Sequence, residues 1–184
     1  MSARTEVAKG GQGVFSPVEL TLRDGRPVTV REVREEDREG VASAFEKLSA
    51  ESRYTRFMAP VRELSPAMLD RVVHPPGDRD LALVALHHDG AGDTLVGGAR
   101  YVANPDGRSC EFAVTLADDW HGVGLARQLM ELLIGSARRR GFRTMEGFIL
   151  TSNSGMRGLA RRLGFDDEPM PDDPTVRLVR LPLD

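Results

Sequence analysis

A glycine-containing turn at residues 120–127, Trp-His-Gly-Val-Gly-Leu-Ala-Arg, could bind a phosphate group. It lies between a segment with strand character and a long segment with helical periodicity. Glycine allows a tight turn and a close approach to a ligand, and the free N–H groups of a first helical turn can hold a pyrophosphate. A Gly-x-Gly before a helix is also compatible with an ordinary turn, so this segment alone does not establish a phosphate site.

A single carboxylate interrupts the apolar segment of residues 110–116, Cys-Glu-Phe-Ala-Val-Thr-Leu. Because an unpaired charge is costly to bury, Glu111 either faces solvent, pairs with a cation or serves a function. A carboxylate in a water-poor cleft has a raised pKa and can act as a general base. Cys110 points to the opposite face of the strand, which favours a buried core thiol over a nucleophile.

The elements that position these groups follow from the periodicity of the chain. Alternating residues at 18–22 and 28–33 around Asp24-Gly25 predict a β-hairpin. Further strands are predicted at 80–87, 95–103, 108–116, 144–150 and 175–183. Helices are predicted at 35–48, 52–58, 65–73, 122–140 and 154–163. This succession predicts an α/β protein with helices packed on a mixed sheet.

Length and composition limit the classes of function that the protein can have. The 184 residues fit one domain, predicted over residues 16–184 after a flexible N-terminal tail of residues 1–15. The net charge of −3 argues against a general nucleic-acid binder, and the single cysteine excludes an intrachain disulfide. No apolar stretch has the length of a membrane span or the form of a signal peptide, so a cytoplasmic protein without a membrane partner is expected. His87 and His88 lack a third ligand, and no metal is expected.

Two motifs resemble those of the GNAT superfamily of N-acetyltransferases. The glycine turn is similar to its coenzyme A signature, with His121 where Gln or Arg is usual and with Gly124 and Ala126 at the small positions. Residues 153–156, Asn-Ser-Gly-Met, and residues 159–165, Leu-Ala-Arg-Arg-Leu-Gly-Phe, resemble the motif that follows. The resemblance extends from about Val28 to Phe165. It implies a GNAT fold, in which helices flank a mixed, mostly antiparallel central sheet and splayed strands form the acyl-CoA slot.

The same resemblance implies acetyl-CoA as co-substrate, with no metal, and assigns the strand residues. Glu111 occupies the position of the family's general base. The Val114 N–H would polarise the thioester carbonyl, and the backbone from Val114 through Thr115 to Leu116 would bind pantetheine.

The resemblance also assigns the residues that would hold the rest of coenzyme A. The phosphate loop would consist of His121, Gly122, Val123, Gly124, Leu125, Ala126 and Arg127. Asn153 corresponds to a residue that holds the pantetheine arm or a water molecule, and Arg157 is a candidate for a coenzyme A phosphate. The usual tyrosine acid is replaced by Ala160, so water would have to reprotonate the thiolate.

Segments 24–31, 49–57 and 63–66 resemble the GNAT domain of bacterial protein lysine acetyltransferases, which silence AMP-forming acyl-CoA synthetases. The favoured function is therefore acetyl transfer to the side-chain amine of a protein lysine, for example in an acyl-CoA synthetase. Arg53 and Arg56 would then pair with acidic residues of the partner protein. Two alternatives remain, a small-molecule amine N-acetyltransferase and a non-catalytic acyl-CoA-binding sensor, which the presence of Glu111 disfavours.

Overall fold

The computed structural model describes residues 15–184, which form one eight-stranded sheet covered by helices. The strands are β1 (Val18–Thr21), β2 (Pro27–Glu32), β3 (Leu81–His88), β4 (Asp93–Ala103), β5 (Ser109–Leu116), β6 (Thr144–Leu150), β7 (Asp166–Met170) and β8 (Asp173–Pro182). The helices are α1 (Arg38–Glu46), α2 (Ala50–Phe57), α3 (Pro66–Val73), α4 (Leu125–Arg139) and α5 (Ser154–Arg162). The strand order is β1-β2-β3-β4-β5-β6-β8-β7, and of these neighbouring pairs β5 and β6 run parallel while the others are antiparallel. The predicted mixed, mostly antiparallel sheet is therefore confirmed.

Two differences from the predicted elements have local physical reasons. Strand β7 was not predicted, because its sequence Asp-Asp-Glu-Pro-Met has neither apolar alternation nor β-branched residues and forms only against β8. The predicted tail includes Phe15, but Phe15 is buried in the core and its N–H donates to a carboxylate oxygen of Glu32 at 2.8 Å. Residues 1–14 of that predicted tail lie outside the described residues.

Strand alternation gives the central sheet two distinct faces. On one face Tyr101 and Phe112 are buried in the core shared with α4, and the Tyr101 hydroxyl lies 3.0 Å from the Ser136 hydroxyl. Helix α4 fits this face because its buried residues recur at helical spacing, among them Leu125, Leu129 and Leu133. The other face carries Arg100 and Glu111 and is covered by α1, α2 and α3. Among residues 15–184, no helix combines the length and apolar character needed to cross a bilayer.

An ion cluster around Asp167 ties α5 to the sheet edge at β7 and β8. The Asp167 side chain is only 6% exposed and accepts from Arg157, Arg161 and Arg177 at 3.0, 2.6 and 2.5 Å. Although burial alone would raise the pKa of Asp167, hydrogen bonds from these three arginines lower it to about 2. The carboxylate is thus needed in its charged form to join three elements.

Asp167→Asn should lower the free energy of unfolding at neutral pH by about 2–3 kcal/mol, because three guanidinium groups lose their common acceptor charge. Since the folded-state pKa is depressed, this stabilisation is present above the ordinary carboxyl pKa and is lost as the pH falls through about 2. Urea unfolding at pH 7 measures the effect. The control is Glu168→Gln, which removes an exposed partner of Arg180 and should change stability by less than about 0.5 kcal/mol. Equal stability of the two variants would contradict a structural role for the cluster.

Candidate active site

The central feature of the site is a gap in the sheet between β5 and β6. The two strands pair only at their first three residues, ending at Glu111 opposite Glu146. At the next position the Phe112 ring lies against Gly147, where an added Cβ would be 2.5 Å from the ring. Beyond this point β5 stays with β4 and β6 stays with β8. The predicted slot is present, as a cavity of about 290 Å³ lined by residues 111–114, Phe148, Ile149, Asn153, Met156 and residues 55–58 at the end of α2.

The backbone of β5 presents unpaired polar groups to this slot. The Ser109 carbonyl oxygen accepts a hydrogen bond from the Asn104 N–H, and the Ala117 N–H donates to the Val96 carbonyl oxygen. The backbone groups of the odd-numbered residues of β5 therefore point toward β4. Because the direction alternates along an antiparallel strand, the N–H groups of Val114 and Leu116 point away from β4. They point to the edge of β5 that is no longer paired with β6. This stretch of β5 therefore has the free donors and acceptors that a pantetheine amide requires.

Glu111 stands at the mouth of the slot, on the sheet face that α2 covers. Its side chain is exposed to the slot. The pKa of Glu111 is nevertheless raised, and partial burial of the carboxyl group is the largest cause. The Glu146 carboxylate raises this pKa further, while the cations of Arg100 and Arg56 oppose the shift. Among residues 15–184, no cation forms an ion pair with Glu111. The arrangement suits a carboxylate that acts as a general base.

The glycine loop lies between the end of β5 and the start of α4. Gly122 and Gly124 have φ angles of 76° and 92°, a left-handed conformation that favours glycine. Helix α4 begins at Leu125, which is fully buried and fixes the helix end in the core. Within the described chain, the backbone N–H groups of residues 122–127 have no protein acceptor. A row of unpaired N–H groups at a helix N-terminus is the arrangement that binds phosphate.

The side chains of the predicted loop residues serve different purposes. The His121 Nε2 lies 3.4 Å from the Leu116 carbonyl oxygen, so the ring folds back toward the end of β5. Val123 and Ala126 pack against the core. Arg127 pairs with Glu131 at 2.8 Å, one turn along the exposed face of α4. The groups of the loop that stay unpaired are therefore its backbone N–H groups rather than these side chains.

The β1–β2 hairpin contacts this loop, which the sequence alone did not indicate. The Arg23 N–H donates to the Val123 carbonyl at 3.2 Å, and the Arg23 side chain lies 3.3 Å from where a Cβ on Gly124 would be. Next to it, the Arg26 guanidinium stacks 3.6 Å from the ring centroid of Trp120. Arg23 is exposed and thus places a cation beside the unpaired N–H groups. Only the proximity of two segments distant in sequence reveals this residue.

Helix α5 contributes residues with mainly structural contacts. Asn153 is its N-cap and lines the slot, and its side-chain oxygen accepts from the Met156 N–H at 3.1 Å. This leaves the amide NH₂ group for a ligand. Arg157 was assigned to coenzyme A, but its guanidinium donates to Asp167 and to the Thr151 carbonyl, both at 3.0 Å. The structure thus places Arg157 in the ion cluster around Asp167.

Two nearby residues have no proton-transfer role. Ala160 is fully buried and has no group that could protonate a thiolate. Cys110 is fully buried on the face opposite Glu111, and burial raises its pKa to about 12. Such a thiol stays protonated and belongs to the core, as its place in the strand predicted. Within residues 15–184 no group of side chains has the composition of a metal site.

The contacts of Arg53 and Arg56 do not support the prediction that both pair with acidic residues of a partner protein. The Arg53 guanidinium donates to the carbonyl oxygens of Glu46 and Arg62 at 2.7 and 2.6 Å and lies over the Phe45 ring. Arg53 therefore joins α1, α2 and the following loop. Arg56 points inward, where it lines both the slot and a neighbouring apolar cavity.

Comparison with known proteins identifies the family. The sequence profile of the Acetyltransferase (GNAT) family matches residues 42–165, about two thirds of the chain, and the chain belongs to this family. It is 42% identical to the Acetyltransferase PA5475 of Pseudomonas aeruginosa over 163 residues, 89% of this chain and 88% of that protein. The protein is therefore an acetyltransferase with the GNAT fold, and acetyl-CoA is its co-substrate.

Two further similarities concern proteins named Pat. The chain is 30% identical to the Acetyltransferase Pat of Mycolicibacterium smegmatis over 151 residues, which cover 82% of this chain and 44% of that longer protein. The crystal structure of the GNAT domain of S. lividans PAT superposes with a TM-score of 0.80 at 27% identity, covering 90% of this chain and 96% of that domain.

Proposed function

We propose that this protein transfers the acetyl group of acetyl-CoA directly to the side-chain amine of a protein lysine, with Glu111 as general base. The observation that carries the proposal is the position of Glu111 at the mouth of the slot, three residues before the unpaired Val114 N–H. In this arrangement the base can take a proton from the attacking amine. The N–H group further along the same strand can donate a hydrogen bond to the thioester oxygen.

Different residues of the chain assist different steps of this reaction. Glu111 accepts a proton from the lysine ammonium, directly or through a water molecule, because only the neutral amine attacks a thioester. The Val114 N–H stabilises the oxygen that gains negative charge as the amine nitrogen bonds to the carbonyl carbon. The carbon–sulfur bond then breaks, and the proton that the nitrogen loses as the amide forms passes through water to the leaving thiolate, since Ala160 offers no acidic group. The backbone N–H groups of the glycine loop and the cation of Arg23 hold the phosphates.

A protein acceptor is supported by the surroundings of the slot and by the two Pat similarities. Within the described chain, Tyr54 and Phe148 are the large apolar side chains that stay exposed, at 46% and 38%. Phe148 lines the slot, and Tyr54 adjoins Thr55, which also lines it. Exposed aromatic side chains beside a reactive site are typical of a surface that meets a partner protein.

The direct test is incubation of the purified protein with acetyl-CoA and an AMP-forming acyl-CoA synthetase, followed by mass spectrometry. We expect one synthetase lysine to be acetylated, and Glu111→Gln should abolish most of that modification. Lys47, which is exposed at the end of α1, serves as an internal measure of non-enzymatic acetylation and should stay unmodified. Efficient acetylation of small amines without any synthetase modification would contradict the protein acceptor.

A small-molecule amine is the second candidate acceptor, and a specific observation favours it. The inner face of the sheet encloses an apolar cavity of about 130 Å³ next to the slot, and Arg56 lines both spaces. A lysine side chain of a folded protein would not need such a space. The two candidates share the same chemistry at Glu111 and differ only in what lies beyond the amine.

A further inference from the structure

Two arginines lie near the side of the slot from which the acceptor amine would reach Glu111, here called the acceptor side. Arg56 and Arg100 are the two charged residues in the lining of the apolar cavity beneath α1, α2 and α3. Arg100 lies on β4 opposite Ala113, and Glu111 is the next residue of β5 on the same face. Arg56 approaches from α2 and also lines the slot beside Glu111. Arg56 therefore adjoins both the proposed base and the apolar cavity, and Arg100 lines the cavity close to Glu111 on the same sheet face.

Neither cation forms an ion pair within residues 15–184, although the nearby Glu111 carboxylate favours the charged form of both. No carboxylate within residues 15–184 lies within ion-pair distance of Arg56 or Arg100, and no hydrogen bond from either guanidinium occurs there. Burial lowers the pKa of Arg56 to about 10, with the charge of Arg100 adding to the effect, and burial lowers the pKa of Arg100 as well. Two poorly solvated like charges destabilise each other and the fold. A site with this arrangement is suited to an anion that neutralises both.

We infer that Arg56 and Arg100 form a carboxylate-binding subsite, so that the preferred acceptor is an amine that also carries a carboxylate. The inference rests on the proposed acetyl transfer at Glu111. The amine would lie at Glu111, the carboxylate between the two guanidinium groups, and an adjoining apolar group in the cavity. A free amino acid with an apolar side chain has this chemistry, and so does a protein lysine that follows or precedes an acidic residue.

Matched acceptors separate these sources. Initial rates of coenzyme A thiol release are compared for leucine against leucinamide, and for a lysine peptide with glutamate beside the lysine against the same peptide with glutamine. We expect kcat/KM to favour the carboxylate member of one pair by about tenfold or more, a usual scale for charge-assisted hydrogen bonds. The pair that shows the preference identifies the source. No preference in either pair would overturn the inference while leaving acetyl transfer intact.

Variants then test the two arginines. Arg56→Met and Arg100→Met keep the apolar stem and should lower kcat/KM about tenfold for the carboxylate acceptor, mainly through KM, with little change for its amide. Arg100→Lys should restore part of the preference. Rates are taken above the pKa of Glu111, because both cations also act on that group. Arg162→Ala, an exposed arginine on α5, is the control and should behave as the wild type. Equal losses for both members of a pair would assign the arginines a structural role only.

Binding measured by NMR decides the inference without catalysis. In the protein with coenzyme A, the Nε–Hε signals of Arg56 and Arg100 should shift on addition of N-acetylleucine or the acetylated glutamate peptide. N-acetylleucinamide and the glutamine peptide should leave them in place. If no acceptor is acetylated, the proposed function fails, yet these shifts still report on the subsite. Signals that respond equally to the carboxylate and amide compounds, or to neither, would overturn the inferred carboxylate subsite.

Discussion

Replacing Glu111 by glutamine is expected to lower the turnover number by about 100-fold or more, the usual scale for loss of a general base. Glutamine keeps the shape of the side chain and removes its ability to accept a proton. Acetyl-CoA binding should survive, because the unpaired groups of the glycine loop and of β5 are untouched. Stopped-flow detection of thiol release gives the rate, and calorimetry gives the affinity.

The pH dependence tests the same assignment. Burial raises the pKa of Glu111, so the protonated, inactive form persists to higher pH than for an ordinary carboxyl. The rate should therefore rise with pH through this pKa and level off once Glu111 is ionised. Glu146→Gln removes the neighbouring charge that raises the pKa, and it should move the rising limb to lower pH. Loss of Arg100 or Arg56, which lower the pKa, should move it to higher pH.

Two results would transfer the role of base elsewhere. One is a Glu111→Gln variant with a near-wild-type rate, and the other is a rising limb that Glu146→Gln leaves in place. A matched control is Glu131→Gln on the exposed face of α4, which removes a surface ion pair and should leave both rate and pH profile unchanged.

The site backbone could be predicted from the sequence because it depends on local patterns. Gly122 and Gly124 precede a strongly periodic helix, and Glu111 interrupts an apolar strand, so both features are set by neighbours in the chain. Strand β7 was missed for the complementary reason. Its polar residues form a strand only because β8 supplies the hydrogen bonds and three arginines surround Asp167.

The contacts of the arginines could not be predicted from the sequence. Arg53 was predicted to pair with a partner protein and Arg157 was a candidate for a coenzyme A phosphate, but in the structure both join helices and loops. Arg23 and Arg100 belong to no motif in the sequence, yet Arg23 lies beside the glycine loop and Arg100 lines the apolar cavity next to the slot. A long flexible side chain can reach many partners, and its actual contact depends on segments that are distant in sequence. Only the packed structure identifies which guanidinium groups are left to bind a ligand.

Gly124→Asp is expected to abolish measurable binding of acetyl-CoA while the protein stays folded. Gly124 has a φ of 92° at the start of α4, so any side chain strains the backbone that presents the N–H groups. The added carboxylate also brings negative charge to the helix end where phosphate charge would lie. In addition, Arg23 lies 3.3 Å from the new Cβ and would pair with the introduced carboxylate instead of a phosphate.

Two companion variants separate these causes. Gly141→Asp places the same side chain on another left-handed glycine, with φ of 76°, beyond the opposite end of α4. It should strain the backbone comparably and leave the affinity for acetyl-CoA unchanged. Arg23→Ala should weaken acetyl-CoA binding by about tenfold through loss of one charge-assisted contact, and it should not alter binding of S-acetylpantetheine, which has no pyrophosphate. Calorimetry measures each affinity and circular dichroism reports the fold. Wild-type affinity in a folded Gly124→Asp protein would mean that the loop is an ordinary turn and that the phosphates lie elsewhere.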